Sequence, residues 1–90
     1  MREFEYDINK SNINQNKHGI SFETAKELWN DKNGIIVEAK KTDDEKRYAL
    51  IAYIEKCYVT IFTIRDEKYR IISVRRCRKN EEKLYESERI

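Results

Sequence analysis

The segment from Arg47 to Arg75 constrains this chain more than any other. It holds three runs rich in β-branched and aromatic residues: Arg47–Ile54, Cys57–Ile64 and Tyr69–Arg75. Only Glu55-Lys56 separates the first two; Arg65 closes the second, and Asp66-Glu67-Lys68 turns the chain into the third. Such short connections leave no room for a crossover, so consecutive strands must pair antiparallel. Glu55-Lys56 lacks the Asn-Gly chemistry that would fix the turn type. An antiparallel meander is therefore expected, with residues 48–64 supplying most of the core.

Upstream the pattern changes. Phe4-Glu5-Tyr6 alternates and reads as a short strand. Asp7 is a good N-cap for a helix over 8–17, whose apolar face is only Ile8 and Ile13. Such a helix is marginal and needs tertiary contacts. Ser21 caps a second helix, in which Phe22, Ala25, Leu28 and Trp29 fall at helical spacing and form a buried stripe. Gly19 and Gly34 sit where helical patterns stop, as C-terminal caps do. Ile35–Glu38 reads as a strand, Lys40–Lys46 as a polar loop, and 80–88 as a final helix anchored by Leu84 with Tyr85 and Ile90. The expected order is β-α-α-β-β-β-β-α in one α+β domain over residues 1–90. A curved antiparallel sheet would carry the first two helices on one face.

Charged residues make up 40% of the 90-residue chain and hydrophobic residues 39%, but the apolar ones are clustered enough for one core. Met1-Arg2-Glu3 opens no apolar run, so no signal peptide is read. No stretch approaches the ~20 apolar residues of a membrane helix. A cytoplasmic protein without membrane contact is expected. Cys57 and Cys77 lack metal-ligand spacing and the chain has one histidine, so no metal or other cofactor is expected. The two cysteines read as free, partly buried thiols.

Charge is distributed unevenly. The formal net charge is +2, yet residues 65–79 carry seven Lys/Arg against Asp66 and Glu67, which leaves the remainder of the chain at −3. Arg65 closes one strand pattern, and Arg75, Arg76, Arg78 and Lys79 close the next. Cations placed at strand ends are fixed by the backbone, as a phosphate-holding protein requires. Period-two alternation puts Tyr69, Ile71, Ser73 and Arg75 on one face and Arg70, Ile72, Val74 and Arg76 on the other. Two cation sites are expected, one at each end of the hairpin. From composition the pole reads first as a solvated edge or a socket for an acidic protein partner, and second as a nucleic-acid contact.

His18 stands at a helix C-terminus, where it acts either as a general acid or as a cap. Glu81 and Glu82 suit the first turn of the last helix, and a carboxylate near Arg75 and Arg76 also has the makings of a base. Tyr48, Tyr53, Tyr58, Tyr69 and Tyr85 are either core residues with a wet hydroxyl or stacking platforms for bases. No phosphate-cradling Gly-rich loop or nucleophile elbow is present.

Phe4-Glu5-Tyr6-Asp7, Lys10, Asn14 and Lys17-His18-Gly19-Ile20-Ser21-Phe22, followed by Ala25 and Asp31, resemble the N-terminal signature of the BrnT toxins. Arg47 resembles that family's mid-chain arginine. Arg70-Ile71-Ile72-Ser73-Val74-Arg75-Arg76-Cys77 resembles its R-I-I-S-A-R segment, and Glu81 with Tyr85 its closing E-x-x-x-Y. The resemblance implies a RelE-like fold and a type II toxin that cuts RNA and inhibits translation. It also implies neutralisation by a ribbon-helix-helix antitoxin. On that basis Arg65, Arg75, Arg76, His18 and Glu81 are the expected catalytic residues. Lys17, Arg47, Arg70, Arg78, Lys79 and Tyr85 are the expected RNA contacts. The alternatives are a basic module that grips RNA or a ribosome without cutting, and a protein-interaction domain. The chain departs from the family at Arg78, where Ser or Thr is common. Without that cap, Asn80 is expected to take over and the last helix to start later.

Overall fold

A computed structural model describes residues 3–39 and 45–88, with the side chain of Glu88 left out. The element order is β1 (Phe4–Glu5), α1 (Ile8–His18), α2 (Phe22–Ala25) running into a 3-10 helix (Lys26–Asn30), β2 (Ile35–Glu38), β3 (Tyr48–Ile54), β4 (Lys56–Arg65), β5 (Lys68–Arg76) and α3 (Lys79–Glu88). Residues 40–44 of the expected polar loop, and Ile90, lie outside the described residues. The α+β order is the expected one.

The five strands form one sheet in the order β1-β5-β4-β3-β2. β2 to β5 pair antiparallel, as the short connections require for β3–β4 and β4–β5. β1 does not: it joins parallel to β5, with Phe4 beside Tyr69 and Glu5 beside Arg70, so the sheet is mixed. Parallel pairing is open to β1 because the whole meander separates it from β5 in sequence.

Two cores lie on the two faces. Ile20, Phe22, Ala25, Leu28 and Trp29 from the helical layer pack against Leu50, Ala52, Phe62, Ile71 and Val74. The stripe read from the spacing of α2 is buried in full. On the opposite face Ala49, Ile51, Cys57 and Val59 pack with Tyr85 of α3.

α1 is held differently from the expectation. Ile8 and Ile13, its supposed apolar face, are 63% and 61% exposed, whereas Ser11 and Asn14 are buried. Ser11 Oγ accepts the Phe22 amide at 2.9 Å. Asn14 donates to the Ile20 carbonyl at 2.8 Å and accepts the Val74 amide at 3.2 Å. Asp7 caps the first turn through the amides of Asn9 and Lys10, and Gly19 closes the last in the left-handed region at φ 77°. Gly34 is not such a cap. A Cβ there would sit 3.2 Å from both the Asp31 carbonyl oxygen and Leu50 Cδ1, so glycine is kept by close packing.

The face assignment along β5 also needs correction. Ile61 faces Ser73 but Phe62 faces Ile71, so Ile72 is an extra residue, a β-bulge. Beyond it the alternation is inverted. Tyr69, Ile71, Val74 and Arg76 lie on the helical face, and Arg70, Ser73 and Arg75 on the α3 face. The separation of Arg75 from Arg76 survives, because the bulge precedes both.

Candidate functional site

The basic end of the sheet is assembled from the start of β4, the end of β5 and the first turn of α3. Val59 faces Arg75 and Tyr58 faces Arg76, so one ladder positions both arginines. Arg75 turns toward α3, where its two terminal nitrogens meet both carboxylate oxygens of Glu81 at 2.8 and 2.7 Å. This fork-to-fork geometry is the strongest form of the pair. Glu81 Oε1 also accepts the Arg78 amide at 2.7 Å. The hydrogen bonds from Arg75 hold the Glu81 carboxyl below its ordinary range, against an opposing push from burial. Glu81 in turn holds Arg75 protonated.

Those contacts settle where α3 begins. The helix starts at Lys79 and not later, with Arg78 in the N-cap position, its carbonyl accepting the Glu82 amide at 3.0 Å. A serine or threonine hydroxyl is missing there. Glu81 supplies the reciprocal half of a capping box by binding the N-cap amide, and Asn80 is not needed for it.

Arg76 lies on the other face. Its Nε donates to the Cys57 carbonyl at 3.3 Å, and its guanidinium carbon sits 5.8 Å from the centre of the Tyr58 ring. Among the described residues it has no carboxylate within ion-pair distance, and neither do Arg78, Lys79 or Lys17. The cysteines are not free thiols: Cys57 and Cys77 form a disulfide with Cα atoms 5.3 Å apart. The bulge makes this possible, because it brings Cys77 opposite Cys57 in the ladder.

The remaining sequence candidates fall in other places. Arg65 lies at the turn end of the hairpin, opposite Lys68, where it pairs with Glu45 at 2.7 Å. Arg70 pairs with Glu5 at 2.7 Å. Arg47 and Arg70 add their fields at Glu45, whose carboxyl is lowered chiefly by the hydrogen bond from Arg65. These three arginines form a separate, partly neutralised group, well removed from Arg75 and Arg76. Lys17 and His18 are exposed on the last turn of α1. Tyr85 is 3% exposed, and its hydroxyl donates to Asp31 Oδ2 at 2.8 Å. The same oxygen accepts the Tyr53 amide at 2.9 Å, so Asp31 ties α3 to the edge of β3.

Glu5 and Glu45 as partners of the arginines were not read from the sequence. Both are remote in the chain from the cations they meet. Their only signal is the surplus of acid outside the basic window. Tyr58 could have been singled out, since any register that places the cysteines opposite each other also places Tyr58 opposite Arg76.

Among the described residues no helix is long and apolar enough to cross a membrane. No group of three His, Cys, Asp or Glu side chains converges there as metal ligands would. No curated protein matches the chain. Residues 6–81 of its 90 match the family described as the ribonuclease toxin, BrnT, of a type II toxin-antitoxin system. The match runs from Tyr6, just past β1, through the Arg75–Glu81 pair, and the chain belongs to the BrnT family of ribonuclease toxins, whose systems pair each toxin with an antitoxin.

Proposed function

We propose that the chain is a metal-independent endoribonuclease that arrests translation, with Arg76 as the residue that meets the scissile phosphate. The observation that carries this is the contrast between the arginines. Arg65, Arg70 and Arg75 are each neutralised by a glutamate, while Arg76 is held between a carbonyl and an aromatic ring with its charge uncompensated by any described carboxylate. A fixed, unpaired guanidinium is suited to the charge that builds on a phosphorane.

Cleavage requires attack by the ribose 2′-oxygen on phosphorus and departure of the 5′-oxygen. The proton on the 2′-hydroxyl must leave, and the 5′-oxygen must receive one. Glu81 is a poor base here because Arg75 and the Arg78 amide saturate it. His18 is the better carrier, as histidine is the side chain suited to proton exchange near neutral pH. The chain advances along β5 from Phe4 beside Tyr69 to Asn14 beside Val74. His18 is one turn beyond Asn14 on the same helix face, and in this proposal it reaches the phosphate that Arg76 holds. Its imidazole takes the 2′-hydroxyl proton and the Lys17 ammonium protonates the leaving oxygen. Arg78 and Lys79 hold neighbouring phosphates, and the Arg75–Glu81 pair keeps the start of α3 in place. The fold is read as RelE-like, and the partner as a ribbon-helix-helix antitoxin that covers this basic end with acidic residues.

Arg76→Ala should reduce RNA cleavage by roughly 10²–10³-fold. Its thermal midpoint should stay near that of the parent, since the side chain is exposed. Mapping of RNA ends after induction is the measurement. Unchanged ends and unchanged growth arrest in this variant would falsify the assignment, and growth arrest without new RNA ends in the parent would favour a binding module.

A further inference from the structure

The disulfide lies inside the basic end. Cys57 is buried at the start of β4, and Cys77 is half-buried between Arg76 and the N-cap residue Arg78. We propose that Cys57–Cys77 is a reversible thiol-exchange site that sets the geometry of the basic end, with small-molecule thiols as its reactants.

Three observations support it. First, the two residues are held together without the sulfur bond, because the Cys77 amide donates to the Cys57 carbonyl at 3.0 Å as the last rung of the β4–β5 ladder. A reduced pair therefore stays in register and can close again. Second, Arg75, Arg76, Arg78 and Lys79 surround Cys77 in sequence, and α3 begins two residues later. Only Arg75 among these four is neutralised by a described carboxylate. Cations and a helix N-terminus both stabilise a thiolate, which favours the reduced state of such a pair. Third, the Cys57 carbonyl is also the acceptor for Arg76 Nε. Any shift of the 57–77 rung is thus felt directly by the unpaired arginine.

The exchange balances as follows. An external thiolate attacks the sulfur of Cys77, the less buried of the two residues, and the Cys57 sulfur departs with the bonding electron pair and takes up a proton. A second thiolate attacks the external sulfur of the mixed disulfide, which releases an external disulfide and leaves Cys77 as a thiolate. Two external thiolates are oxidised, and the protein disulfide is reduced by two electrons. In the oxidised state Arg76 and Arg78 are fixed on either side of a covalent tie. In the reduced state only the 57–77 rung ties the Cys77-Arg78 peptide to β4, so Arg76 and Arg78 are held less tightly, while Glu81 on Arg75 and Tyr85 on Asp31 keep α3 attached.

The functional half of this inference rests on the ribonuclease reading, so the test has two readouts. The folded protein is equilibrated in glutathione buffers of graded ratio, its thiols are counted by alkylation and mass spectrometry, and RNA cleavage is measured on the same samples. The expected result is two thiols appearing together in the folded protein, restored to none on re-oxidation, with cleavage lower by roughly 10–100-fold in the reduced form. Cys57→Ser/Cys77→Ser should match the reduced form at every ratio. Thiols that appear only after denaturation would overturn the exchange site and leave a structural staple. Reversible thiols with equal cleavage in both forms would overturn its control of the site. Absence of cleavage in every sample would instead defeat the ribonuclease reading, and the thiol count would still decide the exchange.

Discussion

Asn14 is the residue on which the helical layer depends. Its amide group satisfies a carbonyl from the α1–α2 connection and an amide from β5, both buried. The Val74 amide needs it because β1 pairs only as far as Arg70, which leaves the adjoining edge of β5 without a strand partner. Asn14→Ala should therefore cost about 2–6 kcal/mol, from two buried groups left unpaired at about 1–3 kcal/mol each. Ile13→Ala, one residue away, should cost little because its side chain is exposed. Urea unfolding of the two variants checks the contrast. Glu81 has a pH signature. Its carboxyl is lowered in the folded state, first by Arg75, so its contribution to stability is present above the ordinary glutamate range and lost as pH falls through the lowered value. Glu81→Gln should flatten the acid side of a plot of thermal midpoint against pH, with little change in its alkaline side.

At the scale of elements, the hairpins fold in spite of their turn residues. Asp66 and Glu67 form the two-residue β4–β5 turn with φ of 53° and 66°, and Glu55 turns β3 into β4 at φ 62°. All three adopt a conformation that suits glycine or asparagine. Replacing Asp66-Glu67 by Asn-Gly should raise stability by about 1 kcal/mol, seen as a higher urea midpoint at unchanged slope. The meander was legible because strand period and connection length are local properties of the chain. So was the stripe of α2 and the 3-10 helix that follows it, where Phe22, Ala25, Leu28 and Trp29 obey a helical period. The anchorage of α1 was not, because hydrogen bonds from Ser11 and Asn14 leave no hydrophobic trace. The faces of β5 were misread for a related reason. A bulge at Ile72 carries no glycine and no other mark, yet one extra residue inverts every side chain on one side of it. The same shift decides the cysteines. An unbulged ladder continued from Phe62 and Ile71 would set Cys57 against Arg76, and only the inserted residue sets it against Cys77. Of the site, the clustering of Arg75, Arg76, Arg78 and Lys79 was visible in the sequence. Which of them is neutralised was not, since that depends on the rotation of the α3 helix relative to β5.

For the molecule as a whole, charge is segregated. Arg76, Arg78 and Lys79 gather at one end of the β4–β5 hairpin. Glu3, Glu23, Glu27 and Glu67, against Lys26, line a groove near the other, floored by Phe4, Ile64 and Tyr69. The disulfide lies at the basic end and closes a segment of 20 residues. Its loss should lower stability by about 3 kcal/mol if loop entropy governs. That corresponds to a fall in thermal midpoint of roughly 12 °C or more for a chain of this size. Calorimetry of the disulfide and dithiol forms is the check. The protein should remain folded without the bond, because the core on the helical face and the contacts of Asn14 and Asp31 are independent of it.

The pairing of β1 with β5 has a consequence in time. Glu5 reaches Arg70 across 65 residues, and Asn14 reaches Val74 across 60. Contacts of such separation form late, since the long loop must close before any of them gives a return. During synthesis, the strand and helix that carry the first signature residues wait without partners until β5 has been made. The β3–β4 hairpin can form earlier, but α1, with Lys17 and His18, docks only onto the finished β5. The basic end and α1 therefore come together in the final step of folding. A ribosome making this chain would not meet an assembled site on the unfinished polypeptide. Whatever binds the completed basic end recognises a surface that did not exist a few residues earlier.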